Sequence, residues 1–292
     1  MSQVPERGIE EAAARSASLP GGGGGRVGGE TVRHEHSGGI TWITLDRPEA
    51  LNAIDAAQRD RLISLLRQAS ADPQTRVVVL TATGRGFCTG ADLRPKPGSA
   101  PPPAPGPGDV ARTIRDGAQA LIAAVLDCEK PVIAAVNGIA AGIGAHLALA
   151  CDLVIAAESA TFIEIFARRG LVPDGGGAYL LARLVGVHKA KELIYFADDV
   201  PAVEALALGL ANRVVPDAGL EKAAREWAER LAVGPTRAFA LAKNLVNRAL
   251  EVDRATAFRE EADAVELNTA TADAKEGMRA FTERRPPEFT GR

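Results

Sequence analysis

Gly84-Arg85-Gly86-Phe87-Cys88-Thr89-Gly90-Ala91-Asp92-Leu93 is answered later in the chain by Asn137-Gly138-Ile139-Ala140-Ala141-Gly142-Ile143-Gly144-Ala145-His146. These two stretches decide the fold. Each follows an apolar run rich in β-branched residues, 77–80 and 132–136, that reads as a buried strand. Each then passes through glycines, which let a backbone turn sharply and approach a ligand closely. Two strand ends of this kind can present two main-chain N–H groups at one point, and such a pair stabilises an oxygen that becomes negative during a reaction.

Around these stretches the composition is that of a globular chain. The 292 residues are enough for one large domain or two small ones without metal or disulfide. With 46% hydrophobic and 24% charged residues, a folded core is expected. The formal net charge of −3 offers no global attraction to nucleic acid or to an anionic membrane, so neither is expected as a partner. Cys88, Cys128 and Cys151 are an odd number with no metal-ligand spacing, and reduced, buried thiols are the expectation, with no metal site. No signal-peptide layout and no membrane-length apolar stretch is present, so a cytoplasmic location is expected.

Residues 1–30 carry the run 21–25 of glycines and few large apolar groups, which predicts a disordered tail. Order is expected from about Thr31, with a hairpin-like stretch and a strand at 40–45 broken by Asp46-Arg47-Pro48. Leu62, Leu65, Leu66 and Ala69 have helical spacing over 55–71, with Asp55 as N-cap. The segment 94–109 is rich in Pro and Gly and predicts a long exposed loop, either a lid over the ligand or an insertion without a role. Helices are expected at 110–126, 143–150 and 178–185, with a strand at 153–157. From Glu204 the pattern is helical almost throughout, at 221–231, 236–249 and 254–282. Strands with helical crossovers make an α/β core over 31–220, with a helical C-terminal region at 221–292.

At these motifs the chain resembles the crotonase superfamily, the enoyl-CoA hydratase/isomerase family. The segments that carry the likeness are Leu45-Asp46-Arg47-Pro48-Glu49-Ala50-Leu51-Asn52-Ala53, residues 86–93, Lys130-Pro131-Val132-Ile133-Ala134-Ala135-Val136-Asn137-Gly138, and Ala150-Cys151-Asp152-Leu153-Val154-Ile155-Ala156. The ending, Glu276-Gly277-Met278-Arg279-Ala280-Phe281 and Phe289-Thr290-Gly291-Arg292, fits as well. The resemblance implies an α/β crotonase (ClpP/crotonase-like) spiral of ββα units, with C-terminal helices that build a homo-trimer or a dimer of trimers. It also implies acyl-CoA chemistry through a thioester enolate, with no cofactor because CoA is part of the substrate. Carried over by position, the oxyanion-hole donors would be the N–H groups of Ala91 and Ile143. Ile143 opens a helix, so its N–H lacks an intrahelical partner and the helix dipole adds positive potential there. Losing one such donor usually costs about 3–4 kcal/mol of transition-state stabilisation.

The hydratases of the family use two glutamates, and here those positions are His146 and Phe166. Phe166 cannot move a proton, so two-carboxylate hydration lacks its residues. Glu164 would share the face of Phe166 in an extended segment, but its match in the family is not a catalytic position. In Gly170-Leu171-Val172-Pro173-Asp174-Gly175-Gly176-Gly177, Asp174 stands where several isomerases of the family carry their working aspartate. The surrounding residues, 162–184, resemble most closely the ring-1,2-epoxyphenylacetyl-CoA isomerases, which in turn resemble Δ3,Δ2-enoyl-CoA isomerases. Asp174 is thus either the catalytic acid/base or an N-cap for the helix after it. His146 is either a core residue or a second acid/base. The resemblance also implies contacts to CoA or substrate from Ala53, Thr89, Ala91, Asp92, Leu93, Gly142 and Phe166. Arg47 is a further candidate, as are Phe281 and Arg284 across a subunit boundary. Surface charge is the alternative for both arginines.

These features predict an acyl-CoA isomerase that shifts a double bond or opens an epoxidised aromatic ring. A hydratase using His146 and Asp174 and a non-catalytic CoA-binding protein are the alternatives. Gly142-Ile143-Gly144 after a strand also resembles part of a dinucleotide-binding turn, with Glu164 at about the right distance for a ribose. Leu147 stands where its third glycine belongs, which argues against NAD.

Overall fold

A computed structural model describes residues 31–94 and 105–292. The Gly-rich tail at 1–30, and residues 95–104 of the Pro-rich loop, lie outside these residues. Strand β1 (Val32–Ser37) and β2 (Ile40–Leu45) form the expected hairpin, with Ser37 opposite Ile40. Its two turn residues, Gly38 and Gly39, have φ of 60° and 79°, the geometry that matches strand twist in a two-residue turn. Helix α1 (Ala56–Ala71) begins as the sequence predicts. Asp55 accepts from Gln58 N at 2.9 Å, and Gln58 Oε1 accepts from Asp55 N at 3.2 Å. Its buried Leu62, Leu65, Leu66 and Ala69 face the core.

The spiral then repeats one idea. Strands β3 (Val77–Ala82), β5 (Val132–Val136) and β7 (Leu153–Ala157) each lead into a three-residue strand, β4 (Gly86–Cys88), β6 (Ile139–Ala141) and β8 (Thr161–Ile163). The longer strands join β1, β2 and β10 (Arg213–Val215) in a six-stranded sheet of order β1-β2-β3-β5-β7-β10, parallel except for β1. The short ones make a second sheet, β4-β6-β8-β9, with β9 (Val200–Pro201) antiparallel at its edge. Residues 77–80 and 132–136 are buried on both faces, as a parallel sheet covered on each side requires. Helix α2 runs through Asp109–Ile114, a π-helical turn Arg115–Gln119 and Ala120–Leu126. Helix α3 (Ile143–Leu149), buried throughout, follows β6.

Helices α4 (Gly177–Leu184) and α5 (Gly186–Phe196) pack on each other, and α6 (Ala202–Ala207) precedes β10. Helix α5 and the strand β10 are not expected from the sequence pattern. The latter has three residues and one buried side chain, too little pattern to register. Helix α7 (Leu220–Ala232) lies across β2, β3, β5 and β7. The helix expected over 254–282 is two, α9 (Arg254–Thr269) and α10 (Ala272–Glu283). Thr271 breaks the run and caps α10 by accepting from Ala274 N at 3.1 Å. Between α7 and α9, α8 (Thr236–Arg248) is held to the body by Lys243, whose Nζ donates to Val125 O and to Asp152. Among the described residues no helix is long and apolar enough to cross a membrane.

One fully buried asparagine locks the loop before α1 to the turn between β3 and β4. Asn52 Oδ1 accepts from Arg47 N at 2.7 Å, and its Nδ2 donates to Thr83 O at 2.8 Å and Gly86 O at 2.7 Å. Its φ of 55° is one that asparagine tolerates better than alanine. Asn52→Ala is expected to lose about 3 kcal/mol of stability, through three lost hydrogen bonds and a left-handed backbone. Urea unfolding checks this, and a loss under about 1 kcal/mol contradicts the assignment.

Candidate active site

The two glycine stretches meet backbone on backbone. A Cβ on Gly138 would stand 1.9 Å from Arg85 O, and one on Gly144 would stand 2.0 Å from Cys88 O. Only glycine permits either contact. Strands β4 and β6 run parallel with Cys88 opposite Ala140, so Ala91 and Ile143 follow paired positions by the same number of residues. Gly90, at φ 106°, lies against the Ala141 carbonyl, and Gly142 turns the chain into α3 at φ 55°. Ile54 N donates to Gly90 O and Asp92 N donates to Ile54 O, which turns the Ala91 N–H away from that bridge. Among the described residues the Ala91 N–H has no backbone acceptor, and the Ile143 N–H opens a helix without a side-chain cap.

Ala53, Thr89, Ala91, Asp92 and Leu93 line one cavity of about 330 Å³, together with Leu51, Arg94 and Arg169. Arg47 is not in its wall. Its Nη2 holds Asp92 at 2.7 Å and its Nη1 donates to Ala53 O, so it braces the site from behind. Asp92 also accepts from Arg94 N and Nε, and the Arg94 guanidinium, then Arg47, holds its carboxyl well below the usual carboxylate range. Arg169 was missed in the sequence. Among the described residues its side chain makes no ion pair, and the basic pair Arg168-Arg169 after Phe166 was the available signal. A larger cavity of about 590 Å³, lined by Arg76, Lys130 and Thr236, lies at the opposite ends of β3 and β5 and contains none of the expected site residues.

The acid/base candidates gather around α3. Asp174 is half-buried, and its carboxylate makes no hydrogen bond among the described residues. The capping alternative is corrected here: the N-cap of α4 is Gly176, with no side-chain cap. Gly175, next to Asp174, presses on this same cluster. A Cβ there would stand 2.1 Å from Ile143 Cδ1 and 3.1 Å from His146 Nδ1. A Cβ on Gly177 would meet His146 Nε2 at 2.1 Å.

His146 is completely buried, and its ring stacks on Phe166 with centroids 5.3 Å apart and planes 12° apart. Its Nε2 shares a hydrogen bond with Glu164 Oε2 at 3.0 Å. Glu164, set aside in the sequence, is therefore the partner of the one residue there that most needed one. His146 Nδ1 and Glu164 Oε1 are buried without a hydrogen bond among the described residues. Each such atom costs about 1–3 kcal/mol if nothing ever satisfies it. Phe281 and Arg284 lie apart from these groups in the wall of neither cavity: Phe281 is 82% exposed on α10, and Arg284 ends that helix at φ 56°. Cys88, Cys128 and Cys151 are free and buried, and burial pushes the Cys88 thiol up to about 12.

This fold and this meeting of glycine turns have known counterparts. The sequence profile described as enoyl-CoA hydratase/isomerase matches residues 35–292. The chain belongs to that family. A Rhodobacter capsulatus protein named "Probable enoyl-CoA hydratase" is 43% identical over 90% of this chain and 98% of its own. The 1,2-epoxyphenylacetyl-CoA isomerase of Escherichia coli is 38% identical over 87% of this chain and 96% of its own. The crystal structure of enoyl-CoA hydratase from Bacillus anthracis superposes with a TM-score of 0.82 at 36% identity, covering 90% of this chain and 100% of that one. The crotonase fold expected from the sequence is the fold observed.

Gly144→Ala tests the contact that aligns the two amides. The added methyl meets a carbonyl at 2.0 Å, and backbone must move to admit it. A stability loss of about 3 kcal/mol is expected, read as a shifted urea midpoint, and an unshifted midpoint contradicts the geometry.

Proposed function

We propose that this chain is an acyl-CoA isomerase working through a thioester enolate, with Asp174 as the proton carrier. The Ala91 and Ile143 N–H groups take the thioester oxygen as it gains charge. Asp174 removes a proton from one carbon of the acyl chain, and the electron pair moves into the enolate. The same carboxyl returns the proton to another carbon, and the double bond has shifted. An epoxidised aromatic acyl group could open by the same polarisation. The step as written needs no cofactor.

The observation that carries this reading is the Asp174 carboxylate, half-exposed and without a partner among the described residues, on a turn pressed against Ile143 and His146. Phe166, where hydratases of the family carry a glutamate, is buried and apolar, which keeps a water nucleophile from that side. The second reading, a hydratase using His146 and Asp174, draws support from the 43% identical relative and its name.

The CoA moiety would lie along the cavity of Ala53, Thr89, Ala91, Asp92 and Leu93, with Arg169 as its free cation. The exposed apolar side chains of the C-terminal helices, Val246, Leu250, Phe258, Val265, Met278 and Phe281, fit burial in a trimer or a dimer of trimers. Phe281 and Arg284 would then reach a neighbouring subunit's CoA.

Asp174→Asn is expected to lower the rate of double-bond migration by about 10³-fold while the Kd for the CoA ester changes little. Retained turnover removes Asp174 from the mechanism. Conversion of crotonyl-CoA to a hydroxyacyl product, with no migration in any ester, selects the hydratase reading. Arg169→Ala is expected to raise KM for CoA esters about ten-fold with kcat nearly unchanged, and an unchanged KM places the phosphates elsewhere.

A further inference from the structure

The isomerase reading leaves one group without a task. It explains the half-exposed carboxylate of Asp174, but not why two ionisable side chains, His146 at 0% and Glu164 at 6% exposure, are sealed under the turn that follows it. A buried carboxylate is retained only with a partner that offers a proton or a charge. Glu164 has one such partner, His146 Nε2, at 3.0 Å. That bond selects the ring's orientation, because the other ring nitrogen is then directed away from Glu164. Stacking on Phe166 fixes the ring plane as well.

Nδ1 is the atom this arrangement presents. It is buried, it has no partner among the described residues, and it faces the turn that carries Asp174. Gly175 and Gly177 make room for the ring, since a Cβ on either would intrude on it. A side chain whose one nitrogen is anchored by a carboxylate, and whose other is left as a bare acceptor, is fixed in one tautomer.

We propose that Glu164 is a positioning residue that holds His146 with its proton on Nε2, so that Nδ1 accepts a hydrogen bond from Asp174 while Asp174 carries the substrate's proton. This rests on the isomerase reading and adds a step to it. Asp174 takes a proton from one carbon and becomes a neutral acid. Its O–H donates to Nδ1 after a side-chain rotation, and the proton passes reversibly to the ring, where the Glu164 carboxylate balances the imidazolium charge. The same proton then goes to the second carbon, and Asp174 is a carboxylate again. Over the full cycle His146 and Glu164 neither gain nor lose a proton. The function of the pair is retention: the carried proton is engaged inside the protein instead of exchanging with water.

Two measurements test this. The first is ¹⁵N NMR of the full-length protein, which has four histidines, with His146→Gln identifying the signal. His146 is expected to be protonated at Nε2 and bare at Nδ1. In Glu164→Gln, whose amide can either accept from or donate to Nε2, that preference is expected to collapse. A wild-type ring protonated at Nδ1 alone, or a Glu164→Gln ring with an unchanged tautomer, overturns the proposal.

The second is double-bond migration in D2O. Glu164→Gln is expected to leave KM within about two-fold and to lower kcat about ten-fold. It is also expected to raise the share of product carrying solvent deuterium, which a merely structural role would not do. In a His146→Gln background the Glu164 change should have no further effect, since the two act as one unit. Unchanged exchange with unchanged kcat, or fully additive losses, overturns the proposal. If wild-type protein moves no double bond in any ester, the isomerase reading is what has failed, and the tautomer measurement still decides whether Glu164 positions His146.

Discussion

Everything in the site depends on two backbone contacts with no room for a methyl group. Gly138 against Arg85 O and Gly144 against Cys88 O bring the ends of β4 and β6 closer than side chains allow. The six-stranded sheet alone would not do this. Its strands stand at ordinary separation, and its side chains fill the core. The second, shorter sheet brings the turns together, and it can be short because each member needs only enough ladder to fix register before the chain departs. Gly90 and Gly142 then supply the positive φ values that release Ala91 and open α3 at Ile143. The amides are oriented by the backbone, while the Ile143 side chain packs against Gly175.

What the sequence made legible follows from this. Residues whose role is local could be read: Asp55 with Gln58 as a capping box, the Leu62 to Ala69 spacing, and the two glycine stretches as sharp turns. Three-residue strands could not be read, because β4, β6, β8 and β10 are set by their neighbours and carry too few residues for a period. The break at Thr271 was readable in principle, since threonine is a cap whose hydroxyl accepts from Ala274 N. In the site, the positions near Ala91 could be placed because they are contiguous. The bond between His146 and Glu164 spans 18 residues and two different elements, and no spacing rule connects a helix to the end of a strand in the other sheet. Arg47 was read as a ligand contact for a related reason. A cation near a binding loop looks the same in sequence whether it faces the ligand or the carboxylate behind it.

That carboxylate, Asp92, shapes the binding end of the cavity. It takes hydrogen bonds from both Arg47 and Arg94, so two of the nearby cations are already neutralised before any ligand arrives. An anionic ligand therefore gains little from them, since a cation with a bonded partner must first be freed. Arg169 differs because it reaches the same wall from the segment after Phe166 and meets no anion among the described residues. Charge near a pocket is thus a poor guide to recognition, and unpaired charge is a better one.

The acid/base cluster around α3 inverts that arrangement. There the half-exposed carboxylate, Asp174, has no partner among the described residues, while the buried groups, His146 and Glu164, are paired with each other. A proton carrier needs freedom to move between two carbons, which a carboxylate fixed in a cap or an ion pair would lack. A buried pair needs the reverse, because each partner removed from water is tolerable only while the other is present. The physical division of labour is mobility at the half-exposed turn and fixed polarity beneath it. It is reached here because Gly176, and not Asp174, caps α4. The helix makes no demand on the aspartate, and the side chain stays available to whatever enters the site.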